Sequence, residues 1–327
     1  MNIAILDDEF DTVRTLACYS QVAAHKVTIW RDHTKDTDVL AERLKDAEAI
    51  VMLRERTPIR AALIERLPKL KLLTLNGPYP HVDIDACTAY GVALCGGKPR
   101  PSSATAELAW GLIISALRQI PQQMASLQRG QWQCGLGSGL RGHTLGVWGY
   151  GRIGQQVAAF GRAFGMRVLI WSREGGLASA RADGYAVAPS RQALFEEADV
   201  LCLHVRLNAE TRGMVSAADL ARMKPAALIV NTSRAELIEP GALVAALRAG
   251  RPGLAAVDVY EQEPVTDLAQ PLLNMDSVVC TPHIGYVERD QLERYYNDQF
   301  VRVLAFARGE PVDVANPQAL AGGIKPA

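Results

Sequence analysis

The chain has 327 residues, 49% hydrophobic and 21% charged, with 35 basic and 35 acidic side chains. That length favours two domains, and the zero net charge removes the electrostatic footprint of a nucleic-acid binder. No apolar run reaches the ~18 residues a membrane span needs, and the start does not read as a secretory leader, so a cytoplasmic globular protein is expected.

In chain order, short apolar runs alternate with amphipathic stretches. This predicts an α/β fold of parallel sheets covered by helices. Strands of a first block fall near residues 3–6, 27–30, 49–53, 70–75 and 92–95, with helical spacing at 39–46 and 59–67. Gly91 stands where a C′ glycine would end a helix over 84–90. Residues 102–118 form a long apolar helix with capping serines at its start, continued past Pro121 by 119–128. Residues 134–142 read as a loop. Strands of a second block follow at 144–148, 168–171, 200–205, 228–231, 254–259 and 278–280, then a helical pattern over 290–308. That last helix is expected to pack back on the first block. Residues 1–98 with 285–327 would then form a substrate-binding domain, interrupted by a dinucleotide-binding domain over 99–284.

Six cysteines include no Cys-x-x-Cys pair, and they read as small buried hydrophobes in a reducing compartment. Neither they nor the six histidines show metal-ligand spacing, so no metal is expected.

Gly149-Tyr150-Gly151-Arg152-Ile153-Gly154 lies between a strand and a helix, where a dinucleotide fingerprint belongs. The first glycine permits the turn, the second lets backbone approach pyrophosphate, and the third allows close helix–strand packing. At the end of the next strand, where an acid would bind the ribose of NAD, the chain has Ser172 and Arg173. Serine and arginine suit a 2′-phosphate, so NAD(P) is expected with NADP favoured over NAD. Glu174 could instead reach the ribose or neutralise Arg173, and Arg173 could be a plain surface charge.

Arg234, Glu263 and His283 each follow an apolar run that reads as a strand. The carboxyl ends of parallel strands line a ligand crevice, so the three could converge there. An imidazole, with an ordinary pKa of about 6.5, can deliver a proton to a ketone oxygen that is receiving hydride. A carboxylate bonded to it would fix its tautomer, and a guanidinium would grip a substrate carboxylate bidentately. Taken singly, His283 could be a core-edge histidine, Glu263 a solvated turn residue and Arg234 a surface ion pair.

With these motifs the chain resembles the D-isomer-specific 2-hydroxyacid dehydrogenases. The matching segments are Leu-Gly-Val-Trp-Gly-Tyr-Gly-Arg-Ile-Gly, Val-Asn-Thr-Ser-Arg-Ala-Glu-Leu-Ile, Ala-Val-Asp-Val-Tyr-Glu-Gln-Glu-Pro and Thr-Pro-His-Ile-Gly. The resemblance implies a Rossmann domain inserted in a smaller flavodoxin-like domain, with hydride transfer between NAD(P)H and a small 2-keto or D-2-hydroxy acid. It implies Arg234 as substrate anchor, Glu263 as histidine partner and His283 as proton donor. It places Asp258 at the nicotinamide carboxamide, Thr232 and Ser233 in the cofactor pocket, and Thr105 near the nicotinamide. Arg54, Asn76 and Gly77 match first-domain loops that face the substrate. Asp258 could also serve as a turn or helix-capping residue.

The chain departs from the family pattern at Ala235, Arg206, Gly285-Tyr286 and Gly77-Pro78-Tyr79-Pro80-His81, which bears on the substrate more than on the reaction. A regulatory C-terminal domain is not expected. A nucleotide-sensing binding protein of corepressor type is the competing class. Formate oxidation would call for glutamine in place of Glu263. A homodimer is expected, with the long apolar helix and nearby Trp110 and Trp132 as a candidate interface.

Overall fold

The computed structural model describes residues 1–97 and 102–321. The chain divides into two compact units, Met1–Arg100 with Arg289–Ala327, and Pro101–Glu288.

The first unit holds five strands, β1 (Asn2–Ile5), β2 (Lys26–Ile29), β3 (Ala49–Val51), β4 (Leu72–Asn76) and β5 (Ala93–Gly97). All pair in parallel in the order β2-β1-β3-β4-β5, the flavodoxin-like arrangement. β3 and β4 are buried along their whole length, as strands covered by helices on both faces must be. Leu40, Leu44, Leu63 and Ile64 from the helices pack with Ile50, Leu73 and Leu75 of the sheet. The helix over 59–67 contracts to Ala61–Ile64, and Gly91 takes φ 70° just past the helix Ile84–Ala89.

The C-terminal helix Arg289–Ala307 belongs to this unit. Its Tyr296, Phe300 and Val303 are buried, and Tyr295 Oη donates to the Met52 carbonyl at 3.2 Å. Arg302 is buried too, with Nη1 on Asn76 Oδ1 at 2.6 Å and Nε on Asp313 Oδ2 at 2.9 Å.

The second unit carries β6 (Thr144–Trp148), β7 (Arg167–Trp171), β8 (Ala186–Val187), β9 (Val200–Leu203), β10 (Leu228–Asn231), β11 (Leu254–Val257) and β12 (Val278–Cys280). Their order, β12-β11-β10-β9-β6-β7-β8, is all parallel and doubly wound, with the reversal at β6. This is the Rossmann topology extended by one strand, and the reversal is where such sheets bind ligands. β8 went unforeseen because two residues carry no periodic signal.

The long apolar helix runs Ala104–Leu117 and stops. Gln119 takes left-handed φ 53°, and a separate helix, Ile120–Gln128, starts with Pro121 in its first turn, where proline loses no hydrogen bond. The expected continuation is therefore a break. Trp110 is a core residue packed on Phe160 and Phe164 at centroid distances of 5.9 and 4.9 Å, whereas Trp132 is 77% exposed. Cys18, Cys87, Cys95 and Cys202 are buried, but Cys280 is only partly so and Cys134 is exposed, against expectation. Among the described residues no helix is long and apolar enough to cross a membrane.

Candidate functional site

The chain leaves β6 through Gly149, at φ 100°, where a Cβ would lie 2.4 Å from the His204 carbonyl oxygen. A Cβ on Gly154 would lie 2.0 Å from Gly149 O, so the helix Arg152–Ala163 sits directly on the turn. Gly151 differs, since a Cβ there would meet nothing within 4 Å. Gly151 at its N-cap has no side chain to cap the helix, and the first-turn N–H groups of a helix have no intrahelical partner, a setting that suits an anion. A closed turn, an open middle glycine and an uncapped 12-residue helix fit the pyrophosphate of a dinucleotide.

Tyr150 is buried within this loop, its Oη donating to Asp183 Oδ2 at 2.7 Å and its N–H to Ser172 Oγ at 3.3 Å. Ser172 thus ties the end of β7 to the glycine turn. The Arg173 side chain beside it is exposed and, among the described residues, makes no hydrogen bond or ion pair. Glu174 turns away to Arg181 at 3.2 Å, so it does not neutralise Arg173.

Beyond β10, the Asn231 side chain shapes the loop that carries Arg234. Its Oδ1 accepts from Ser233 N at 3.0 Å and its Nδ2 donates to Arg234 O at 2.8 Å. Arg234 Nη1 donates to Ser233 O at 2.7 Å, which leaves most of the guanidinium for another anion. Thr232 Oγ1 is buried with no partner among the described residues. A buried hydroxyl without a partner is costly, and a bound ligand would relieve it.

Asp258, fully buried after β11, accepts Thr281 Oγ1 at 2.6 Å and the N–H groups of Ile284 and Gly285 at 2.8 Å. Burial raises its pKa against the pull of these bonds and of His283. Thr105 Oγ1 donates to Gly285 O at 2.7 Å, holding the same turn from the helix start. Within that turn His283 has φ 53°, a left-handed conformation uncommon for a residue with a Cβ.

His283 Nδ1 and Glu263 Oε2 lie 2.6 Å apart, and Glu263 Oε1 accepts the Tyr260 N–H at 3.0 Å. Burial opposes ionisation of Glu263, but His283, the Tyr260 N–H and the Arg234 charge together hold its carboxyl below the ordinary value. An ionised carboxylate only accepts, so Nδ1 carries the proton and Nε2 remains for a reactant. The second unit therefore brings the Arg234 guanidinium, the Glu263 carboxylate and the His283 imidazole together.

Arg54, Asn76 and Gly77 lie at the carboxyl edge of the first unit's sheet. Arg54 has φ 59° and donates its N–H to Tyr295 Oη at 2.9 Å. Asn76 is buried, with Nδ2 on Tyr295 O at 3.0 Å and Oδ1 held by Arg302, and Gly77 has φ 116°. The Asn76 amide is thus committed inside its own unit. The sequence did not single out Asn231, Tyr260 or Thr281, whose roles depend on partners that only folding supplies. No three His, Cys, Asp or Glu side chains among the described residues group so as to hold a metal ion.

Known proteins resemble this chain in sequence and in fold. A family model for the NAD-binding domain of D-isomer specific 2-hydroxyacid dehydrogenases matches residues 110–285. A solved oxidoreductase from Ralstonia solanacearum is 49% identical with TM-score 0.92, over 98% of both chains. The D-3-phosphoglycerate dehydrogenase of Methanocaldococcus jannaschii is 36% identical over 88% of this chain, which spans only 56% of that relative's length. The glyoxylate reductase of Thermococcus litoralis is 32% identical over 90% of this chain and 92% of its own. The chain belongs to the D-isomer specific 2-hydroxyacid dehydrogenase family, nicotinamide-dependent oxidoreductases acting on CH–OH groups.

Proposed function

We propose that this protein reduces a small 2-keto acid to the D-2-hydroxy acid, with Arg234, Glu263 and His283 carrying the chemistry. The observation that supports this most is the 2.6 Å contact between His283 Nδ1 and an ionised Glu263 beside the Arg234 charge. Bound reduced nicotinamide supplies the hydride to the carbonyl carbon. Arg234 pairs with the substrate carboxylate and fixes the carbonyl, an orientation effect. His283 Nε2 gives its proton to the carbonyl oxygen as negative charge builds there, leaving a neutral imidazole with Nδ1–H still on Glu263. In the oxidative direction the same nitrogen accepts the hydroxyl proton. Thr232, Ser233 and Thr105 line the cofactor pocket in this reading, and Asp258 stands beside the carboxamide. Arg54 and Gly77 are the first unit's contribution to substrate binding in this reading, and Asn76 contributes by holding that sheet edge through Tyr295 and Arg302.

The cofactor reading favours NADP, supported by an Arg173 side chain with no partner among the described residues and a Glu174 engaged with Arg181. A keto-acid panel with NADH and NADPH in parallel, followed by loss of reduced-nicotinamide absorbance, tests both. Turnover with NADPH on at least one 2-keto acid is expected, and none with any acid would refute the reading. A homodimer belongs to the same proposal: Met124, Leu127, Trp132 and Leu136 leave apolar side chains exposed across residues 120–136. Light scattering at a monomer mass would remove it.

A further inference from the structure

We propose that Tyr260 is a positioning residue that holds the Glu263–His283 pair in working geometry. The inference rests on the proton-donor reading of His283 and adds a residue that reading does not contain. Tyr260 reaches both halves of the pair. Its backbone N–H donates to Glu263 Oε1 at 3.0 Å, opposite the oxygen that meets His283. Its phenol Oη, from a buried ring in the second unit's core, donates to the Thr281 carbonyl at 3.0 Å. That same carbonyl accepts the His283 N–H at 3.0 Å.

One oxygen therefore anchors both the His283 backbone and the Tyr260 phenol. Histidine at φ 53° has little intrinsic reason to stay there, so neighbours must fix it. Asp258 fixes the far side of the turn through Ile284 and Gly285, and Tyr260 fixes the near side. Burial pushes the phenol's pKa up, so the group remains a proton donor throughout the working pH range. His283 faces Glu263, the Asp258 charge and the Tyr286 ring at 5.8 Å, and the Arg234 charge acts on Glu263. None of these replaces a donor to Thr281 O.

Tyr260→Phe keeps the ring and deletes that donor. Its kcat is expected to fall roughly three- to tenfold, the span of one neutral hydrogen bond. The NADPH dissociation constant, read by fluorescence, should stay within about twofold, since the cofactor site is untouched. In the apo protein the downfield Nδ1–H resonance of His283 should shift or broaden. In a His283→Gln background the same change should add little to the loss, because the residue acts through His283. Unchanged kcat and an unmoved Nδ1–H resonance, with only a lower Tm, would overturn the proposal. So would a full additional loss in the His283→Gln background. Undiminished turnover in His283→Gln alone would instead refute the proton-donor reading, while the resonance in Tyr260→Phe still reports on the geometry.

Discussion

At His283 the backbone and the ring are fixed by different neighbours, which makes the two separable by substitution. The ring depends on Glu263, the backbone on Asp258, Thr105 and the Thr281 carbonyl. In the proposed mechanism His283→Gln removes the transferable proton while the turn can persist. Its kcat is expected to drop about 10²- to 10⁴-fold, the usual worth of a general acid, with cofactor affinity nearly unchanged. Equal loss of both would contradict the assigned role. Arg173 offers an independent test on the cofactor side. Arg173→Ala should weaken NADPH binding about tenfold or more, as loss of a charge-assisted bond does, and leave NADH binding as it was. Titration calorimetry with both nucleotides reads the ratio directly.

The glycine-rich turn shows how one motif divides its labour among positions. Gly154→Ala would place a methyl 2.0 Å from Gly149 O, backbone that cannot swing aside. That variant should lose stability by about 1–3 kcal/mol, the cost of overpacking, seen as a lower urea midpoint. Gly151→Ala meets nothing within 4 Å, so its Tm should hold while dinucleotide affinity falls. If both variants lost stability alike, the open side of Gly151 would not be where a ligand approaches. Element boundaries were legible where an apolar run had sharp ends, as at Thr144–Trp148. They failed where a single residue reversed the backbone, as at Gln119.

At the scale of the molecule, two imidazoles have both ring nitrogens buried without a hydrogen-bond partner among the described residues, His81 in the first unit and His204 in the second. Burial, aided at His81 by Arg60 and opposed by Asp7, pushes both down to about 4 from an ordinary 6.5. The unfolded chain binds protons at these sites at a higher pH than the folded one does. Their contribution is therefore fully present above pH 6.5 and is lost as pH falls toward about 4. Replacing His81 by Phe should make stability fall less steeply over that interval, measured as urea midpoints against pH. An unchanged slope would mean that His81 is hydrated and titrates normally.

The sequence by itself determined the α/β class, the order of most strands and the glycine turn, and it singled out Arg234, Glu263 and His283 as candidates. These are written in local periodicity, in steric demands that only glycine meets, and in residue types suited to proton and anion chemistry. Tertiary structure decided what depends on neighbours distant in the chain. It set the left-handed His283 turn on Asp258, bonded the Tyr260 phenol to Thr281, turned Glu174 to Arg181 and buried Trp110 against Phe160 and Phe164. A hydrogen bond or ring contact between residues far apart in sequence leaves no periodic trace, because its partner is chosen only when the sheet brings strand ends together.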